Sequence, residues 1–404
     1  MTPPAVLLPS LRSLFTEADV SLLIGLRRDL HQHPELSWKE QRTADRLASA
    51  VTALGAADVA RVAGTGVVAR FAGRDRSAPV VAVRGDIDAL PIEEATGLPF
   101  ASSAPGIMHA CGHDIHGTWA VGAALLLARR PAAGDVLVVL QPAEEVGEGA
   151  KAILETGALD DVRAIFGGHV DRRFAVGQVV ADTGPLAAST DTFDIELVGK
   201  GAHGARPQES ADPIVGAAAL ISALQTIVAR RIDPAAAAVV TVGTVHAGTA
   251  SNIIPERAVL TGTLRATTPE TRAAIGNEVV RLAEAVAAAY QLTARATVHP
   301  GTPPIVNPPN AAAWARQAAA AVLGDAAVVP FGVTNMGGED FAFYLERMQG
   351  CFMRVGAREE GGERLAAHSP RFTAAEESIF VGAAVLAESA RIASAALRDA
   401  GVGA

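Results

Sequence analysis

The sequence predicts an α/β chain carrying an inserted α+β domain. Three observations lead there: short apolar runs that end in polar or glycine residues, apolar helical stretches between them, and a switch to alternating strands from about residue 186. VVAVRGD (80–86), DVLVVLQP (135–142) and VRAIFGGH (162–169) are nearly unbroken apolar runs, the pattern of parallel strands buried on both faces. HGTWAVGAALLLARR (116–130) lies between the first two and closes on an arginine pair, as a crossover helix does. DTFDIELVG, VVTVGTV and AVLTGTLRA then alternate apolar and polar residues, as half-exposed antiparallel strands do. Two long helical stretches, 213–231 and 268–290, interleave with them and predict one sheet with helices on one face. The Pro-rich run 299–310 reads as the return hinge, which divides the chain into a domain of 1–185 plus 300–404 and an inserted domain of 186–299. The Ala-rich tail 374–400 carries an apolar stripe and predicts a helix docked on the first domain.

Charge and composition exclude several classes of partner. A net charge of −9 with no run of Lys and Arg beyond isolated pairs gives no footprint for nucleic acid or an anionic membrane. Small molecules are the expected partners. The opening MTPPAVLLPSLRSLF has no basic segment followed by a long apolar one, and no later run is read as long enough to span a bilayer, so a cytoplasmic protein is expected. Two cysteines in 404 residues are too few for a disulfide framework, which leaves Cys111 and Cys351 as buried filler or as chemically employed thiols.

The stretch MHACGHDIHG (108–117) gathers one of those cysteines with three histidines and an aspartate. In Cys111-Gly112-His113 the glycine permits a tight backbone that turns both flanking side chains to one point. Thiolate sulfur and imidazole nitrogen are ligands that divalent transition metals prefer. The same residues also suit a helix-capping turn with Asp114 as cap and Cys111 as filler. Glu144 and Glu145 follow one apolar strand and His169 follows the next, and the carboxyl ends of strands are where open α/β sheets bind ligands. Two adjacent carboxylates in a dry site need a cation nearby or a division of labour; a solvated acidic turn is the alternative.

RGDIDALPI, MHACGHDIHG, QPAEEVGEGA, GGHVD, GKGAHGARP, GTASNIIPERAVLTGTLRA, MGGEDFAFY and HSPRF follow one another in an order that resembles the M20 metallopeptidase family. The resemblance is strongest to its amidohydrolase branch, which includes hippurate hydrolases, N-acyl-amino-acid amidohydrolases and auxin-conjugate hydrolases. RRDLHQHPELSWKE near the start is similar to that branch's opening motif, so the likeness spans nearly the whole chain. It implies a mixed-sheet two-metal hydrolase domain with an inserted α+β domain that serves as lid and dimerisation surface. It also implies metal ligands at Cys111, His113, Glu145, His169 and His368, with Cys111 bridging, and Glu144 as general base. The wider family has His-x-Asp where this chain has Arg84-Gly85-Asp86, so one usual histidine ligand is absent and Asp86 is expected to support the site.

From the inserted domain the resemblance implies that His203 reaches the substrate, in relatives commonly across a dimer interface, and that Asn252 and Arg265 bind it. An Asx turn and a strand-edge cation are the alternatives for those two. Glu339 and Asp340 match a loop near the site; His31, His33, Glu35 and His116 read as structural. The function so implied is hydrolysis of N-acyl amino acids to a carboxylate and a free amino acid, with two divalent ions (Zn, Mn, Co or Ni) in a homodimer. A small-peptide exopeptidase would use the same site. A thiol hydrolase with Cys111 as nucleophile and His113 as base leaves Glu144, Glu145, His169 and His368 unexplained.

Overall fold

The computed structural model describes residues 7 to 401; the first six residues of the opening read for a leader lie outside that range. The described chain forms two compact units, one of residues 7–184, Asn307–Gly332 and residues 343–401, the other of Pro185–Val306 and Val333–Ala342. The second unit is wider than the 186–299 division, because residues 300–306 and 333–342 pack with it.

In chain order the first unit opens with α1 (Glu17–Gln32), α2 (Gln41–Ala53), β1 (Asp58–Val62), β2 (Gly66–Phe71), β3 (Val80–Asp86), α3 (His113–Arg129), β4 (Val136–Gln141), α4 (Gly149–Glu155), β5 (Val162–Ala175) and β6 (Val179–Val180). The chain continues through β7 (Gly184–Ala187), β8 (Asp191–Val198), β9 (Ala202–His203), α5 (Pro213–Arg230), β10 (Ala238–Ala247), β11 (Ile253–Ile254) and β12 (Arg257–Ala266). It closes with α6 (Pro269–Ala289), β13 (Thr293–His299), β14 (Ile305–Asn307), α7 (Pro309–Leu323), α8 (Ala342–Leu345), β15 (Gln349–Arg358) and α9 (Glu377–Gly401).

The first unit is built on a seven-stranded mixed sheet in the order β1-β2-β4-β3-β5-β15-β6. Its four central strands, β4, β3, β5 and β15, run parallel, and antiparallel strands flank them. The three apolar runs read from the sequence are three of those central strands. β4 and β5 lie on opposite sides of β3, so the chain reverses its winding direction there, and the crevice at that point opens at the carboxyl ends of the strands. α3 is apolar almost all round and is buried over its first 15 residues, as a helix enclosed on every side requires. It packs on α9, α1 and β3, and a Cβ at Gly382 of α9 would stand 2.2 Å from the Trp119 ring, so only glycine admits that contact. α1 starts on a capping box in which Thr16 and Asp19 exchange hydrogen bonds. The Arg129 guanidinium then grips the Asp19 carboxylate with two bonds of 2.7 Å, tying the start of α1 to the end of α3.

The second unit is a four-stranded antiparallel sheet, β10-β12-β8-β13, with α5 and α6 on one face. Burial alternates along β8 and β12 as the polar–apolar alternation predicts, and Phe193, Ile195, Leu260 and Leu264 meet Leu220, Leu224, Ile275 and Val279 in a core of their own. One expectation is corrected: by length and composition α5 and the tail helix α9 are each apolar enough to cross a bilayer. α9 is instead a core helix of the first unit, with Ile379, Phe380, Val381 and Val385 fully buried. α5 lays Leu220, Leu224 and Ile227 on its sheet while Ile214, Val215 and Val228 stay exposed.

Candidate metal centre

Gly112 is the N-cap of α3 at φ 98°, a left-handed conformation that a side chain resists, and a Cβ there would meet Val170 Cγ2 at 2.5 Å. This turn carries Cys111 and His113 to the carboxyl ends of β3, β4 and β5. Cys111 Sγ lies 3.1 Å from His169 Nε2. His113 Nε2 lies 3.8 Å from one oxygen each of Glu144 and Glu145, and His368 Nε2 lies 3.4 Å from the other Glu145 oxygen.

The candidate ligand atoms fall into two groups of three, each drawn within 4.8 Å: Cys111, His113 and His169, and Cys111, Glu145 and His368. The thiol is common to both. All five residues expected from the sequence as ligands are therefore brought together, with Glu144 in a further group with His113 and Glu145.

Hydrogen bonding leaves the relevant atoms open toward the centre of the cluster. Asp88 sits 3.1 Å from His113 Nδ1 and orients the ring, and Ser37 and the Glu145 amide hold Asp88 through its other oxygen. His169 Nδ1 donates to the Val170 carbonyl at 2.6 Å, so Nε2 presents its lone pair to Cys111. His113 Nε2 and Glu145 Oε1 are buried without a hydrogen-bond partner. Buried polar atoms of this kind are costly, and a shared cation would satisfy them.

Electrostatics point the same way. Burial, then the neighbouring Glu145 charge, pushes the Cys111 thiol up, and a coordinated divalent cation reverses such a shift. Burial, His116 and Arg354 hold His169 well below the usual histidine range, which keeps it neutral as a ligand must be. Burial opposes protonation of His113, but Asp86 and Asp88 outweigh it and raise that histidine, so a bound cation would have to displace its proton. The donor set of one thiolate, three imidazoles and one carboxylate suits Zn and its borderline neighbours.

Asp86, His113 and His116 also lie close enough to hold a cation, but both His116 nitrogens are engaged. Nδ1 bonds Asp86 at 2.6 Å, Nε2 accepts from the Val170 amide at 2.9 Å, and the ring stacks on Trp119. Asp86 in turn pairs with Arg84 at 2.5 Å, whose Nε donates to Gln141. This arginine is fully buried. His31 and His33 are braces: His31 bonds Asp114 and Glu94, and His33 bonds the Asp29 carbonyl. Glu35 accepts from the Arg42 and Thr43 amides at the start of α2. Asp88 and Ser37 were missed from the sequence; the only signal for Asp88 was its spacing of two from Asp86 on a strand that had just ended.

His203, Asn252 and Arg265 lie in the second unit. His203 on β9 and the exposed Asn252 are adjacent, since β9 pairs with β11 and the Gly204 amide donates to the Asn252 carbonyl at 2.8 Å. The Ala205 amide donates to His203 Nδ1, which leaves a proton on the exposed Nε2. Arg265 is elsewhere: it lies near the far end of β12, eight residues and about 26 Å of strand from Arg257, beside which the β9–β11 ladder sits. Glu339 and Asp340 are buried in the same unit.

Residues 82–391 match the family described as Peptidase family M20/M25/M40. Among curated relatives, an N-acetyl-L-cysteine deacetylase of Bacillus subtilis is 42% identical over 91% of this chain and 87% of its own. The IAA-amino acid hydrolase ILR1-like 5 of Arabidopsis thaliana is 37% identical over 90% of this chain and 85% of its own. Among solved structures, the Bacillus subtilis YxeP protein, described as a dinuclear metal binding peptidase from the M20 family, superposes with a TM-score of 0.82 at 39% identity, covering 92% of this chain and 98% of that one.

Proposed function

This chain belongs to the M20/M25/M40 peptidase family and is a hydrolase of amide bonds, and from that premise we propose that it cleaves N-acyl amino acids to a carboxylate and a free amino acid. The observation that carries the reading is the meeting of two ligand groups at one thiol with a carboxylate, Glu144, beside them. Cys111, His113 and His169 would hold one divalent ion, and Cys111, Glu145 and His368 the other, as Zn, Mn, Co or Ni. When bound, such a pair supplies Lewis acidity toward water and the scissile carbonyl. Glu144 takes a proton from the attacking water and delivers it to the departing amine, work that requires a carboxylate near the ligands but not among them. His203 Nε2–H is a donor for the developing oxyanion. Two free, buried cysteines support a cytoplasmic setting.

Hydrolysis of N-acetyl, N-benzoyl and longer N-acyl amino acids, measured after chelation and again after return of each metal, tests the reading. Turnover of acyl amino acids that disappears on chelation is the expected result. Cleavage of dipeptides with no action on acyl amino acids would sink it in favour of an exopeptidase.

The separation of His203 and Asn252 from Arg265 favours a second subunit, because one small substrate cannot touch both ends of β12. We place the dimer contact on the exposed edge strand β10 with Val245, beside Ile214 and Val215 of α5. His203→Ala is then expected to lower kcat about a hundredfold, as loss of an oxyanion donor does. Mixed dimers of Glu144→Gln and His203→Ala subunits regain activity, since one site in each has both groups intact. Subunit exchange confirmed by mass spectrometry with no recovery would exclude supply of His203 in trans.

A further inference from the structure

We propose that Arg172 is a positioning residue for His368 and thereby for one of the two metals, an inference that rests on the reading of the metal centre above. His368 lies midway along the segment between β15 and α9, residues 359–376, which has no helix or strand. It is the one candidate ligand not enclosed by the fold, with 54% of its side chain exposed, and its backbone sits at φ 65°, a conformation that costs a non-glycine residue energy. Something other than packing must hold its ring against Glu145. The His368 amide donates to the Ala110 carbonyl at 2.8 Å, which fixes the tip of the loop next to Cys111.

Arg172 fixes the neck. It lies on β5 three residues after His169, and only 5% of it is exposed. Its Nε and Nη2 donate to the Glu363 carbonyl at 3.0 and 2.7 Å, and Nη1 donates to Thr373 at 2.9 Å and Ala357 at 3.4 Å. Nη2 also meets the Glu359 carboxylate at 2.9 Å. A guanidinium has five N–H groups, and these are five contacts.

Glu363 and Thr373 stand five residues before and five after His368, so one planar cation clasps both legs of the loop and sets the arc between them. Main-chain carbonyls are the buried guanidinium's acceptors at both legs; the other side-chain link between them, Arg371 to the Glu363 carboxylate at 3.5 Å, is long and exposed to solvent. Lysine has three donors on a point charge and cannot span the same carbonyls. The same strand thus carries a ligand of one group, His169, and the clasp that sets a ligand of the other.

The test is isothermal titration of the full-length apo protein with Mn(II) and Zn(II), with wild type, Arg172→Met, His368→Ala and the double variant compared. Wild type takes up two ions. Arg172→Met keeps one site at wild-type affinity and weakens the other about ten- to a hundredfold, the range for loss of groups that orient a ligand. The double variant binds no more weakly than His368→Ala alone, because Arg172 has nothing left to position.

Equal weakening of both sites would mean a general structural role and overturn the proposal, as would two unchanged sites or losses that add in the double variant. If Arg172→Met does not fold, Arg172→Lys, which keeps the charge, must show the same selective weakening to a smaller degree; an unchanged second site overturns the proposal. Failure of wild type to bind any metal is a different result, and it removes the metal-centre reading itself.

Discussion

Glu144→Gln is expected to lower turnover of an N-acyl amino acid by about a thousandfold or more while the protein keeps its full metal complement, the upper range for loss of a general base. The amide preserves the shape of the side chain and its place 3.8 Å from His113 Nε2, but it cannot accept and return a proton. Glu145→Gln makes the contrast. That carboxylate has one oxygen 3.4 Å from His368 and the other 3.8 Å from His113 Nε2, buried without a hydrogen bond, so its loss weakens metal uptake as well as activity. Elemental analysis beside a kinetic trace separates the two residues. Equal metal retention in both variants, or an active Glu144→Gln enzyme, refutes the division of labour between these adjacent carboxylates.

Cys111→Ala is expected to bring activity to background and to cost at least one of the two metal ions. Both ligand groups contain this sulfur, so its removal strikes the two together, whereas His169→Ala or His368→Ala strikes one. The folded state should survive, because the substitution removes one atom next to an open cluster and leaves the Gly112 turn and the α3 cap unchanged. Circular dichroism confirms the fold, and elemental analysis counts the ions. A variant that keeps two ions and turns over substrate would show that the sulfur bridges nothing.

The sequence by itself determined the features that are local. A run of β-branched residues ending in Gly-Asp or Gln-Pro is a buried strand with a polar end, and alternation marks a sheet with one wet face; both depend only on which neighbours along the chain are buried. The turn at Cys111-Gly112-His113 was legible for the same reason, since a glycine between two ligand-type residues is a statement about three consecutive residues. Where the strands end together, the chemistry they carry is gathered, and this made the cluster of Cys111, His113, Glu144, Glu145 and His169 readable in outline.

Only the tertiary structure decided which of the remaining polar residues serve that cluster. Asp88 orients His113 from 25 positions away, and Ser37 holds Asp88 across 51. Arg172 reaches Glu363 and Thr373 across 191 and 201 positions. Such pairings leave no period and no spacing, because they are set by how strands and loops pack after distant parts of the chain meet. His116 shows the converse: in sequence it is one more histidine beside a metal-type motif, and in the fold Asp86 and the Val170 amide occupy both of its nitrogens. A side chain becomes a ligand when its lone pair is left facing the cluster, and that orientation depends on the groups that hold the rest of the ring.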